Sequence, residues 1–191
     1  MSVLDQIVKA YDIRGTVPDQ LDADVAHALG VGFASFIRSN SKAERIVIAR
    51  DMRPSGPAFV EAFSRGILNQ GIDVIDLGLG STDLMYYASG VLDAPGAMFT
   101  ASHNPAGYNG IKLCVAGARP VGVDTGLLDV KRVAEEVLEG GGPKPAASAG
   151  SQSERNVLSD FAEHVLTFVD LADIGTMRVV ADTANGMGGL V

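Results

Sequence analysis

Chemistry concentrates in the segment Thr100-Ala101-Ser102-His103-Asn104-Pro105, which continues as Ala106-Gly107-Tyr108-Asn109-Gly110-Ile111-Lys112. It places a hydroxyl nucleophile, Ser102, after the short apolar run 97–100, at the C-terminal end of an expected strand, where open α/β sheets hold their ligands. Pro105 restricts Asn104 to extended geometry, and Gly107 and Gly110 are expected to let backbone N–H groups turn inward as an anion-binding concavity. His103 and Lys112 add proton carriers and positive charge. These residue types suit a loop that holds a phosphate beside a serine. They equally suit an ordinary turn between two strands, since Ser, Asn, Pro and Gly all form turns.

Two other segments carry charge near apolar runs. Tyr11-Asp12-Ile13-Arg14-Gly15 offers an arginine close to the N-terminus, a place where most arginines are solvated surface residues. In Arg50-Asp51-Met52-Arg53-Pro54-Ser55 the arginines, like Lys112, suit charge-assisted hydrogen bonds to phosphate; a surface salt bridge for Arg53 and helix capping by Ser55 fit equally well. A serine hydrolase built on Ser102 and His103 is disfavoured. The sequence has no G-x-S-x-G elbow, and neighbours on an extended strand point to opposite faces, which would leave His103 badly placed to activate Ser102.

The elements that must position these residues alternate. Helical spacing covers 22–38 through Val25, Leu29, Phe33 and Phe36/Ile37, with Gly30 and Gly32 allowing close packing. A β-branched run at 46–49 reads as a buried strand, followed by a helix whose apolar positions are Phe59, Val60, Phe63, Ile67 and Leu68 and which stops at Gly71. A strand at 72–77, a helix near 82–92, strands at 97–100 and 110–115, and a helix from after Asp124 to near Glu139 complete the series. This alternation predicts an α/β sandwich with a mixed sheet over residues 1–139. Residues 140–153, dominated by Gly, Pro, Ala and Ser, read as a linker. Beyond it, 156–170 is helical by period and 178–181 is expected to be a strand opening into Asp182-Thr183-Ala184-Asn185-Gly186; residues 154–191 are too few to enclose a core and are expected to be an incomplete second α/β domain.

Composition narrows the partners. Hydrophobic residues make up 47% of the 191 residues and charged residues 20%, the usage of a folded protein. A net charge of −8 repels nucleic acid and anionic membranes in bulk, so an anionic substrate must be held by local cations and backbone N–H groups; neither a nucleic-acid nor a membrane partner is expected. Cys114 is the only cysteine, which excludes an internal disulfide and makes a buried, inert thiol the expectation. With no secretory pattern and no apolar run near the ~18 residues of a membrane span, a cytoplasmic setting is expected.

As a whole string, the segment from Thr100 to Lys112 closely resembles the phosphoserine loop of the α-D-phosphohexomutases. The stretches 11–15 and 50–55 resemble that family's N-terminal active-site loop and the region after its second strand, and 180–189 resembles the first strand and Gly-rich turn of its second domain. The resemblance implies a three-layer α/β/α first domain and reversible conversion of hexose 6-phosphate and hexose 1-phosphate through a hexose 1,6-bisphosphate. Ser102 is then the phosphate carrier, Arg14 a neutralising cation, His103 and Lys112 the general acid/base candidates, and Tyr11, Asn104 and Asn109 the substrate-binding residues. It also implies Mg²⁺, bound by the phosphoserine and by an aspartate loop of which this sequence has no counterpart, so Ser102 is the one metal ligand carried over and these residues alone are expected to bind phosphosugar without turning it over. Tyr108-Asn109-Gly110 and the stretch 117–122 look more like the phosphomannomutase/phosphoglucomutase branch than phosphoglucosamine mutase.

Overall fold

The computed structural model describes residues 2–170, 172 and 174–191; Met1, Leu171 and Asp173, which fall inside the expected first and second units, lie outside the described residues. The chain runs α1 (Val3–Ile7), β1 (Ile13–Thr16), α2 (Ala23–Asn40), β2 (Arg45–Arg50), α3 (Gly56–Asn69), β3 (Asp73–Leu79), α4 (Thr82–Val91), β4 (Gly96–Phe99), β5 (Tyr108–Val115), β6 (Arg119–Pro120), α5 (Leu127–Leu138), β7 (Gln152–Glu154) and α6 (Leu158–Leu166). One mixed sheet orders them β1-β5-β4-β2-β3-β7, with β6 added to β5. Strands β4, β2, β3 and β7 are parallel, whereas β5 runs antiparallel to both β4 and β1.

Alternation along the central strands explains the layers. In β2, Ile46 and Ile48 enter a core shared with α2, α3 and α5, while Val47 and Ala49 enter a second core under α4. Ala97 and Phe99 of β4 face the first core and Met98 the second, as a side-chain period of two requires. Phe63 of α3 lies between Phe33 of α2, at a centroid distance of 6.2 Å, and Phe99 of β4, edge-on at 5.3 Å. Truncating so buried a phenylalanine costs about 3–5 kcal/mol. The expected close approach of α2 is real: a Cβ on Gly30 would strike the Phe63 carbonyl of α3, and one on Gly32 the Val130 carbonyl of α5.

Three expectations change. Residues 140–153 contain no helix, yet they do not hang free: Ala146 N–H donates to the Asn69 carbonyl at 2.8 Å, Gly150 N–H to the Leu68 carbonyl at 2.8 Å, and β7 adds a strand to the edge at β3. Helix α6 is shorter than the predicted 156–170 and packs back on the first unit, with Val157 buried in the core under α4 and Phe161 5.7 Å from Tyr87; Phe168, within the predicted span, lies beyond the helix and is exposed. Residues 178–181 form no strand. Val179 and Val180 are exposed, and a β-branched run without a ladder partner among the described residues gains nothing from extended pairing. No described helix is long and apolar enough to cross a membrane.

Candidate functional site

Ser102 sits in the connection between β4 and β5, whose antiparallel pairing runs from Gly96–Cys114 to Phe99–Ile111 and leaves residues 100–107 as a loop at the sheet's end. The left-handed backbone in this loop belongs to the serine itself: Ser102 has φ +54°. Its N–H donates to Thr100 Oγ1 at 2.9 Å, a local bond that holds this uncommon conformation, and its side chain is exposed. Gly107 has open space around it, and Gly110 lies inside β5. A Cβ on Gly110 would collide with the Ile13 carbonyl and come within 2.9 Å of the Thr100 carbonyl, so this glycine serves the close approach of β1 to β5 and of both to the serine loop.

That approach delivers Arg14. It is paired with Gly110 across the β1–β5 ladder, and its guanidinium donates to Asn104 Oδ1 and to Asp12 Oδ2, each at 2.6 Å. The same Asp12 oxygen lies 3.3 Å from Lys112 Nζ, so one largely buried carboxylate holds two cations at the loop's base. Arg14 Nε is buried and has no hydrogen-bond partner among the described residues. His103 Nδ1 lies 3.4 Å from Ser102 Oγ. The expectation that neighbours must point apart fails because Ser102 is in a left-handed turn and not on an extended strand.

Two residues take roles the sequence left open or misassigned. Arg53 is not a surface residue: it is buried beside Asp51, with Nε 3.3 Å from Asp51 Oδ2. Its Nη1 donates to the carbonyls of Pro105 at 2.9 Å and Tyr108 at 2.7 Å, and its Nη2 to those of Ser102 at 3.0 Å and Asn104 at 2.8 Å. Asn109, expected to bind substrate, is fully buried; its Nδ2 donates to Ser55 Oγ at 2.8 Å and its Oδ1 accepts from Gly110 N–H at 2.8 Å. Its side chain positions the loop. Ser55 occupies the N-cap of α3 but makes no capping bond. Tyr11 is 80% exposed, in the turn before β1.

A cavity of about 560 Å³ opens beside the loop, lined by Ser102, His103, Asn104 and Ala106, by residues 52–54 with Arg53 among them, and by residues 183–186. Among the described residues no group of three or more His, Cys, Asp or Glu side chains is placed to hold a metal ion. Asp12 and Asp51 are already paired with cations. The described residues therefore do not fit a Mg²⁺ site; they offer such an ion Ser102 and, once esterified, its phosphate.

A mixed sheet covered by helices on both faces, with an exposed serine on a loop backed by two cations, defines an α/β/α sandwich protein. Residues 5–135 match the family described as phosphoglucomutase/phosphomannomutase, alpha/beta/alpha domain I. The chain is 37% identical over 185 residues to a phosphomannomutase of Escherichia coli and 38% identical over 185 residues to phosphohexose mutases of Xanthomonas campestris, covering 96% of this chain and 39% of each relative. A phosphoglucomutase/phosphomannomutase family protein of Burkholderia thailandensis superposes with a TM-score of 0.74 at 32% identity, covering 90% of this chain and 36% of that one. The chain belongs to the phosphoglucomutase/phosphomannomutase family and spans about 39% of the length of these curated relatives.

Proposed function

We propose that these residues form the phosphate-carrying domain of a cytoplasmic phosphomannomutase/phosphoglucomutase, with Ser102 as the carrier and hexose 1- and 6-phosphates and hexose 1,6-bisphosphate as its partners. The observation that carries this reading is the exposed Ser102 hydroxyl on a left-handed turn, with Arg14 tied to the same loop through Asn104. Ser102 Oγ forms a bond to phosphorus as the bond from phosphorus to a sugar oxygen breaks. The serine proton passes toward His103 Nδ1, the nearest base, and the departing sugar oxygen takes up a proton. The reverse transfer to the hydroxyl at the other end of the sugar completes the exchange. Arg14 and Lys112, held by Asp12, offset the charge of a dianionic ester facing a second phosphate.

Incubation with glucose 1,6-bisphosphate and Mg²⁺ is expected to add one phosphate to the whole protein, mapped to Ser102. Phosphate on another residue, no uptake, or equal uptake by Ser102→Ala overturns the reading. For residues 1–191 by themselves, the lack of a metal-ligand cluster among the described residues favours phosphosugar binding without turnover. Formation of glucose 6-phosphate from glucose 1-phosphate by this chain, above a Ser102→Ala control, would contradict that second reading.

A further inference from the structure

Four of the five N–H donors of Arg53 are taken by one loop, and the fifth, on Nε, is buried beside Asp51 without a hydrogen bond among the described residues. Its four Nη hydrogens go to the carbonyls of Ser102, Asn104, Pro105 and Tyr108, and Nε faces Asp51. A guanidinium has five donors in a rigid planar fork, and here that fork gathers four peptide planes of one loop around a single buried point.

Those planes have a second side. In a trans peptide the carbonyl of one residue and the N–H of the next point in opposite directions. With the Ser102 and Pro105 carbonyls aimed inward at Arg53, the N–H groups of His103 and Ala106 face away from it. Neither N–H finds an acceptor among the described residues, whereas Ser102, Asn104 and Tyr108 N–H are all bonded within the loop. His103 and Ala106 also line the cavity next to Ser102. Unbonded N–H groups converging on one concavity attract anions.

We propose that Arg53 is a positioning residue that creates the anion-binding face of the serine loop: by drawing four carbonyls inward it presents the His103 and Ala106 N–H groups to a phosphate at Ser102. The inference deepens the carrier role assigned to Ser102 and rests on it for the identity of the anion. Asp51 contributes by balancing the buried guanidinium, so that the loop is held by hydrogen-bond geometry while the positive potential at its surface comes from Arg14 and Lys112.

The test is a titration of the ¹⁵N-labelled chain with inorganic phosphate at constant pH and ionic strength, followed by amide resonances. In the wild-type chain and in Ser102→Ala, the His103 and Ala106 amides are expected to shift together and saturably, because N–H groups and not the hydroxyl bind the ion. Folded Arg53→Lys is expected to bind phosphate about tenfold more weakly, the effect of losing a hydrogen bond to a charged group, and Arg53→Met more weakly still. Unmoved His103 and Ala106 amides in the wild-type chain, or unchanged phosphate affinity in either folded variant, overturns the proposal. Unfolding of both variants also counts against it, since a clamp confined to one loop leaves both hydrophobic cores intact. The readout does not depend on esterification: a chain that never takes phosphate on Ser102 but shows these shifts would refute the carrier role and keep the anion face.

Discussion

Arg14 and Asn104, ninety positions apart, are joined by a 2.6 Å hydrogen bond from a guanidinium to a side-chain amide oxygen. The bond ties the strand on the sheet's edge to the serine loop, so the guanidinium of Arg14 is located by a residue two places from Ser102. Asn104→Ala should leave stability nearly unchanged, because the site is open to water, but should lower phosphate transfer to Ser102 in the whole protein about tenfold, the worth of one charge-assisted bond. Rates from single-turnover labelling with glucose 1,6-bisphosphate check this; an unchanged rate would show that Arg14 is held without Asn104.

Asp12 bears on both Arg14 and Lys112. Asp12→Asn keeps the shape but removes the charge between two cations, and is expected to destabilise the chain by about 1–3 kcal/mol, the cost of losing largely buried hydrogen bonds to charged partners. Urea unfolding measures it.

Gly110→Ala should be among the most damaging single-methyl changes. The new carbon meets the backbone carbonyls of Ile13 and Thr100, which cannot swing aside as side chains do. A loss of about 1–3 kcal/mol is expected from overpacking, together with weaker phosphate binding at the loop, because relief of the clash separates Arg14 from Ser102. Thermal unfolding and phosphate titration of the same variant test the two parts.

Cys114 is fully buried, and burial pushes its thiol pKa up, with hydrogen bonding to Ser89 and at the Gly96 backbone only partly opposing this. The thiolate is the reactive form. Native protein should resist iodoacetamide at pH 8 and be labelled once unfolded by urea, as intact mass would report.

Asp73 secures the edge strand β7: its carboxylate accepts from Ser151 N–H at 2.7 Å and Ser151 Oγ at 3.0 Å, which lowers its pKa below the ordinary 3.8. With the folded value depressed, the stabilisation is present above the ordinary pKa and is lost as pH falls through the lower, folded one. Wild type should therefore melt above Asp73→Asn at pH 6, and the gap should close at pH 3. No gap at pH 6 would mean that β7 is held by backbone pairing alone, and a gap undiminished on acidification would mean that the Asp73 charge is not what holds it.

The central elements and the place of the serine loop were legible because their signals are local. Ile46 to Ala49 show strand character, Phe59 to Leu68 show helical spacing, and the Pro and Gly residues after Ser102 mark a loop, all within a few residues of one another. The short β1 carrying Arg14 and the three-residue β7 escaped notice, since neither is long enough to show a period and each exists only through the strand it borders.

By itself the sequence determined the layered α/β order, the absence of an internal disulfide, the acidic balance of the chain, and the place of the serine loop. Only the tertiary structure decided that Arg53 serves four carbonyls of the serine loop, that Asn109 is a buried strut, that Asp12 couples Arg14 to Lys112, and that Ser102 itself takes the left-handed turn. The division has one physical cause. Hydrophobic period and turn propensity act between chain neighbours, whereas a polar side chain takes whichever partner the packed layers bring within about 3 Å, and that partner can lie anywhere in the sequence.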